Sequence, residues 1–237
     1  MPITTAAEDL LAIARACRAA CERLPLHVPW IYSPWQYAWP VFVQYAQRYF
    51  RPPHRMLWVG MNPGPFGMVQ SGIPFGDVAL VRSWLQLDAP IVPPAQQHPR
   101  RPIVGWSCAR REVSGQRLWG LLSSRYRTPQ ACFAELFVIN WCPLAFLDAE
   151  GRNLTPDRLP MPARQALGEI CDRFLAAVAS LAESSCIVAL GAVAAAAARR
   201  ATALPVLELP HPSPANPRAQ RGWTQLVSAR LHDAGLW

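Results

Sequence analysis

The sequence predicts an α/β fold built around a parallel sheet of four strands. Segments with helical periodicity alternate with short apolar runs. The joints between them are short, so right-handed crossovers bring each strand back to the same sheet. A chain of 237 residues is also long enough for a substantial core. We therefore expect a single domain over residues 1–237, with a helical N-terminal part, residues 1–50, packed on it.

The N-terminal part of the chain contains two amphipathic segments. Residues 4–23 repeat apolar side chains every three to four positions, and Cys17 and Cys21, one helical turn apart, are expected to be core thiols. Residues 35–50 show the same spacing, and Pro40 is compatible with a first helical turn. Both segments are therefore predicted to be helices.

The first predicted strand covers residues 56–59, a short apolar run that follows a break in the helical pattern. A helix is expected over residues 77–87, with Asp77 as its N-cap. Two proline-containing segments, 25–34 and 89–101, are interpreted as a connector and a surface loop.

The rest of the chain continues the alternation of helices and strands. The helices are assigned by apolar stripes at a spacing of three to four residues, and the strands by short apolar runs next to turn-forming residues. In order, the predicted elements are a helix over 116–124, a strand over 136–139, a helix over 163–182, a strand over 186–190, a helix over 192–203 and a strand over 205–209.

A glycine-rich loop follows the first strand. Residues 57–77 contain five glycines and three prolines, so the backbone can approach a flat ligand closely while the prolines fix the loop's shape. Phe66 and Phe75 offer aromatic faces on which a ring could stack. The loop is also compatible with a tight connection alone, and it indicates a ligand pocket only together with other residues.

Three polar side chains follow predicted strands, namely Asn62, Asn140 and His211. Because the carboxyl ends of parallel strands share one edge of a sheet, we expect these side chains to lie at the same edge. These loops contain no GxSxG elbow, Walker lysine or paired carboxylates. A histidine, two amides and exposed backbone amides suit stabilisation of a departing anion and positioning of a water. Asn140 is also compatible with an ordinary turn, and a lone histidine with plain packing.

The chain is basic, with a formal net charge of +8, and all 23 positive side chains are arginine. This charge fits a polyanionic partner such as DNA, RNA or an acidic membrane surface, although the arginine-rich composition is also explained by a compositional bias of the genome. Without lysine, no side-chain amine is available to form a Schiff base.

The seven cysteines contain no CxxC pair, so neither a zinc site nor a disulfide framework is predicted, and we expect neither a metal nor a cofactor. No apolar run reaches the roughly 18 residues that cross a bilayer, and no signal peptide pattern opens the chain. We expect a soluble intracellular monomer without an obligate protein partner, cytoplasmic in a bacterium and nuclear in a eukaryote.

Two long motifs carry a resemblance to a known family. Residues 60–68, GMNPGPFGM, continue through GIPFG at 72–76, and residues 211–214 read HPSP. Shorter matching segments are 112–115, 137–144, 151–156, 216–217 and 222–223. From about residue 51 to its end, the chain resembles the single-strand-selective monofunctional uracil-DNA glycosylases of the uracil-DNA glycosylase superfamily.

The resemblance implies a three-layer fold with helices flanking the four-stranded parallel sheet, and hydrolysis of the N-glycosidic bond of an extruded uracil. It implies that Asn62 positions the attacking water, and that His211 and the backbone amide of Met61 stabilise charge on uracil O2. It further implies that Phe75 stacks on the base, that Asn140 reads its O4 and N3 edge, and that Gly64 lies beside C5.

The expected partner is single- or double-stranded DNA that contains uracil, 5-hydroxymethyluracil or another oxidised pyrimidine. In the family a loop holds the duplex open after base extrusion. In this chain Ala215 replaces a bulky basic residue, so Arg218 and Arg221 are the nearby cations. The residues expected to contact DNA are Ser213, Pro214, Ala215, Asn216 and Arg218.

Two alternatives remain open at this point. One is a glycosylase of the same superfamily that is specialised for deaminated purines, and the other is a catalytically silent DNA-binding protein of the same fold. Both Asn62 and His211, whose loss would indicate a silent protein, are present.

Overall fold

The computed structural model describes residues 5–220 and 222–237, apart from the side chain of Arg218. The strands are β1 Trp30–Tyr32, β2 Met56–Gly60, β3 Leu136–Asn140, β4 Ala145–Leu147, β5 Asn153–Leu154, β6 Cys186–Leu190 and β7 Val206–Leu209. The helices are α1 Thr5–Glu22, α2 Pro34–Tyr37, α3 Trp39–Tyr49, α4 Met68–Ser71, α5 Val78–Ser83, α6 Val113–Tyr126, α7 Pro129–Phe133, α8 Met161–Leu181, α9 Ala192–Ala201, α10 Pro217–Gln220 and α11 Trp223–Asp233.

The central sheet has four parallel strands in the order β3-β2-β6-β7. Every residue of β2, β3 and β6 is buried, as expected for parallel strands that are covered by helices on both faces. The predicted four-stranded parallel sheet is therefore confirmed, each of its strands within one residue of the predicted ends.

The strand register brings the site loops together. Gly60 is paired with Asn140 at the end of β2 and β3, and Leu190 is paired with Leu209 at the end of β6 and β7. Asn62 and His211 lie in loops that follow these strands. These loops therefore leave the sheet on the same side, at the carboxyl ends of its strands. Asn140 itself is the last residue of β3.

A second, antiparallel sheet of strands β1, β4 and β5 was not predicted. Its strands have only two or three residues, too few to show a period of two. Strand β1 lies in the segment interpreted as a connector. The neighbouring loop, residues 89–101, is anchored on this sheet, because His98 is buried against Trp30 and its backbone N–H donates to the Tyr32 hydroxyl.

Three predicted helices differ from the observed ones, and one of them, predicted over 116–124, is the longer α6, Val113–Tyr126. Residues 35–50 form two helices, α2 and α3, separated at Ala38, whose backbone leaves the helical region. Helix α5 ends at Ser83 and not near residue 87, because Gln86 takes a positive φ of 53° and the Leu87 N–H donates to the Val81 carbonyl. A residue in the left-handed region is a common end to a helix.

The N-terminal helices pack on the rest of the fold. Helix α1 packs against α3 and α8, and Cys17 and Cys21 are buried, which confirms them as core thiols. An aromatic group made by Tyr45, Phe133 and Phe137 joins α3, α7 and β3. None of the described helices has the length and apolar character needed to span a bilayer.

Candidate active site

Asn62 is held beside the loop after β3. The N–H groups of Trp141 and Cys142 donate to the carbonyls of Gly60 and Met61, at 2.9 Å each, so the pairing of β2 with β3 continues past the strand ends. The Asn62 Nδ2 donates to the Leu144 carbonyl at 3.3 Å, which leaves Oδ1 as an acceptor for another group. Within the described residues the Met61 N–H finds no acceptor.

Asn140 has a buried side chain that is only partly satisfied. It is 2% exposed, and its Nδ2 makes a weak contact of 3.3 Å with the Met68 sulfur. Its Oδ1 has no hydrogen-bond donor among the described residues, although it is fully shielded from solvent. Because a buried acceptor without a donor is costly, this oxygen is a candidate to accept a hydrogen bond from a ligand N–H.

The ring of Phe75 and the Asn140 amide converge next to Gly60. A Cβ atom at Gly60 would collide with both Asn140 Oδ1 and the edge of the Phe75 ring, so only glycine leaves this position open. Phe75 takes a positive φ of 54°, which is strained for an aromatic residue. The Asp77 N–H bond to its carbonyl, at 2.8 Å, and the close approach of Gly115 hold this conformation. Strain of this kind is typical of ligand sites.

His211 is fixed as a neutral donor. Its ring centroid lies 6.0 Å from that of Phe75, and burial lowers its pKa to about 4. The Ser213 N–H donates to Nδ1 at 3.0 Å, so the ring proton of the neutral form is on Nε2. The Asn216 amide donates to the His211 carbonyl at 3.0 Å. The histidine can therefore donate one hydrogen bond from Nε2 without carrying charge at neutral pH.

The loop after β7 is supported from several elements. The Arg117 guanidinium donates to the Pro212 carbonyl at 2.6 Å, and the Trp223 indole donates to the Pro210 carbonyl at 2.8 Å. An open recess of about 930 Å³ beside this loop is lined by His211, Ser213, Ala215 and Asn216, among others. Ala215 and Pro214 are exposed at the tip of the loop. The Arg218 side chain and Arg221 lie outside the described residues.

Gly64 faces a carboxylate that was not predicted as a site residue. A Cβ atom at Gly64 would lie 3.3 Å from Glu112 Oε2, and the φ of Gly64 is outside the left-handed region. Glu112 caps α6, because its Oε1 accepts from the Ser114 N–H, and burial raises its pKa. Its position in the 112–115 segment was the available signal, but nothing in the sequence placed it against the glycine-rich loop.

Phe66 was expected to offer an open face to a ligand ring. Instead, the guanidinium of Arg110 lies over its ring, with Cζ 3.8 Å from the ring centroid. Phe75 is thus the aromatic side chain that the structure places with Asn140 and His211. In the described part of the chain, no three His, Cys, Asp or Glu side chains are arranged to hold a metal ion.

Comparisons with known proteins show the family of the chain. Residues 47–232 match the model of the uracil DNA glycosylase superfamily. The single-strand selective monofunctional uracil DNA glycosylase of Bos taurus is 43% identical over 211 residues, which cover 87% of this chain and 78% of the relative. The enzyme of the same name from Mus musculus is 43% identical over 219 residues, covering 90% of this chain and 78% of the relative.

A solved structure shows the same fold. The crystal structure of wild-type SMUG2 from Pedobacter heparinus superposes with a TM-score of 0.65 at 15% identity, over 94% of this chain and 97% of that one. At this identity the likeness shows the fold alone. The family match spans well over half of the residues. The chain therefore belongs to the uracil DNA glycosylase superfamily.

Proposed function

We propose that this protein is a monofunctional DNA glycosylase that hydrolyses the N-glycosidic bond of uracil and leaves an abasic site. The observation that carries the proposal is the unpaired, buried Oδ1 of Asn140 next to the Phe75 ring. A flat base stacked on that ring, with its edge towards Asn140, would present uracil N3–H to Oδ1 and O4 to Nδ2. Cytosine has no proton on N3 and would leave two acceptors facing each other, which a buried site rejects strongly.

The site residues have distinct roles in this reaction. As the C1′–N1 bond breaks, its electron pair moves onto the base, and the sugar becomes positively charged. The Nε2–H of His211 and the N–H of Met61 donate to the developing anion at O2. Asn62 holds the water through its Oδ1. Because an amide is a poor base, stabilisation of the leaving group supplies most of the acceleration. The water adds late to C1′ and releases its proton to the solvent, and the departed uracil anion takes up a proton from the solvent.

Single-turnover excision assays test this proposal. Labelled oligonucleotides carry uracil, cytosine, thymine or hypoxanthine at one position, and abasic sites are revealed with alkali. We expect release of uracil and retention of cytosine and thymine. Faster release of hypoxanthine would favour a purine specialist, and no release of any base would favour a silent DNA-binding protein.

The absence of lysine predicts the form of the product. A lyase step proceeds through an amine joined to the sugar, and the chain has no lysine side chain to supply it. We therefore expect an intact abasic strand after excision, which is nicked only when alkali is added. Borohydride trapping of a covalent complex on denaturing gels is the check, and a complex that persists after the α-amine is blocked would contradict the prediction.

Ala215 predicts a preference for single strands. Its small, exposed side chain fills little space in an opened duplex, whereas a single strand avoids most of the unpairing cost of a few kcal/mol. We expect uracil in a single strand to be released faster than uracil opposite guanine, and Ala215→Arg to narrow the difference. Ala215→Ser controls for the substitution itself. Equal rates on both substrates, unchanged in Ala215→Arg, would show that another part of the chain holds the duplex open.

The substrate and setting follow from the same chemistry. We propose that the protein acts as a monomer on DNA that contains uracil or oxidised pyrimidines, including 5-hydroxymethyluracil, and works where the genome lies, in the bacterial cytoplasm or the eukaryotic nucleus. The net charge of +8 supports a polyanionic partner. Size-exclusion chromatography with light scattering, with and without an oligonucleotide, tests the monomeric state.

A further inference from the structure

Two arginine guanidinium groups lie over the ring of Phe66, at the border of the candidate active site. It lies in the glycine-rich loop that also contains Asn62, and the Cζ atoms of Arg110 and Arg101 lie 3.8 Å and 5.4 Å from its ring centroid. A guanidinium over an aromatic face is restrained by cation–π attraction, while its N–H edges remain available. The ring of Phe66 therefore restrains two positively charged groups.

Within the described residues, neither guanidinium forms an ion pair with a carboxylate. Arg110 is exposed, and within the described residues its guanidinium makes neither a hydrogen bond nor an ion pair. The Arg101 guanidinium donates to two neutral carbonyls, those of Gly151 at 2.8 Å and Arg100 at 3.3 Å, which orient it and leave its charge intact. Glu112 lies on the same segment as Arg110 and attracts it, but the Glu112 Oε1 is engaged with the Ser114 N–H.

The neighbouring Arg111, unlike Arg110, is paired with a carboxylate. Arg111 forms an ion pair of 2.8 Å with the buried Asp77, so its charge is used within the protein. Arg110 and Arg111 both line an open recess of about 460 Å³, together with Arg82. The segment that holds Arg110 continues to Glu112, whose carboxylate lies against Gly64 of the base site. The guanidinium groups on Phe66 are thus next to the proposed pocket for the base.

We propose, on the basis of the glycosylase function proposed above, that Arg110, with Arg101 beside it, binds a phosphate of the DNA strand that carries the target base. A restrained guanidinium with free N–H edges matches the paired oxygens of a phosphate, and the Phe66 ring reduces the conformational entropy lost on binding. Such a contact holds the strand in register over the pocket. It affects the affinity for the strand and leaves the bond-breaking step unchanged.

The salt dependence of binding tests this contact. The probe is a fluorescein-labelled single strand with an uncleavable tetrahydrofuran abasic site, and its Kd is measured by anisotropy over a series of salt concentrations. Each phosphate contact on a single strand contributes about 0.7 to the slope of log K against log salt concentration. We expect Arg110→Ala to reduce the slope by about 0.7 and to raise the KM for a uracil-containing strand without changing kcat.

Arg15→Ala is the matched control. Arg15 is also exposed and lies over an aromatic ring, with its Cζ 5.1 Å from the Trp39 centroid, but it is on α1, which packs against α3 and α8. The Arg15→Ala variant should leave the slope of log K against log salt concentration unchanged. An unchanged slope in Arg110→Ala, or an equal reduction of the slope in Arg110→Ala and Arg15→Ala, would overturn the proposal. If Arg110→Ala lowers the unfolding midpoint, Arg110→Gln removes the charge while its stem still covers the ring.

Discussion

His211→Ala is expected to slow the release of uracil by about 10²- to 10³-fold, which is the usual cost of removing one donor that stabilises a developing anion. The Nδ1 of His211 accepts from the Ser213 N–H, so Nε2–H is the donor that the ring offers to the base. Alanine removes that donor, while the hydrogen bond from the Asn216 side-chain amide to the backbone carbonyl of residue 211 can persist. Single-turnover rates at saturating enzyme measure the effect on the chemical step.

Asn62→Ala should show a loss of comparable size, because it removes the acceptor that holds the water. The control is His232→Ala, which removes an exposed histidine from the last turn of α11. DNA affinity and the unfolding midpoint of the two site variants should stay near those of the wild type. A variant with near wild-type single-turnover rates would show that its side chain has a different role.

The low pKa of His211 also predicts how its loss changes stability with pH. Because the folded pKa is depressed to about 4 from an ordinary value near 6.5, the unfolded chain takes up a proton first as the pH falls. His211 therefore lowers the stability progressively between about pH 6.5 and pH 4, and His211→Ala should lose less stability over this range than the wild type. His54, whose pKa burial also lowers to about 4, contributes equally in both proteins.

Particular residues show why the sheet was predictable. The residues of β2, β3 and β6 are buried throughout, so each strand appears in the sequence as an unbroken apolar run. Once these runs are parallel strands, the positions of Asn62, Asn140 and His211 follow, because strand ends meet at one edge. The arrangement of the main site residues thus depends on local patterns.

Other features depend on contacts between distant segments, which a local pattern does not contain. The short strand β1 is stabilised by pairing with β4, more than a hundred residues away. The positive φ of Phe75 is held by packing against Gly115, and Phe66 is covered by Arg110. Each of these conformations is unfavourable or ambiguous for the isolated segment, so tertiary packing determines it.

Gly64→Tyr is expected to abolish the release of 5-hydroxymethyluracil while sparing part of the activity on uracil. Under the proposed binding mode Gly64 lies beside C5 of the base, and the Glu112 carboxylate borders the same space, 3.3 Å from where a Cβ atom would be. A hydroxymethyl group can donate to such an acceptor, whereas the methyl group of thymine would cover it without a hydrogen bond. The wild type should therefore release uracil and 5-hydroxymethyluracil and retain thymine.

Backbone geometry does not by itself require glycine here, because the φ of Gly64 is outside the left-handed region. Gly64→Ala is accordingly the control: its Cβ atom needs only a shift of a few tenths of an ångström by Glu112, and it should keep much of both activities. The tyrosine ring, in contrast, should fill the space next to C5. Excision of the two bases from single-stranded oligonucleotides, with circular dichroism to monitor the fold, is the measurement. Failure of the wild type to release 5-hydroxymethyluracil, or loss of both activities in a folded Gly64→Ala variant, would show that Gly64 serves another purpose.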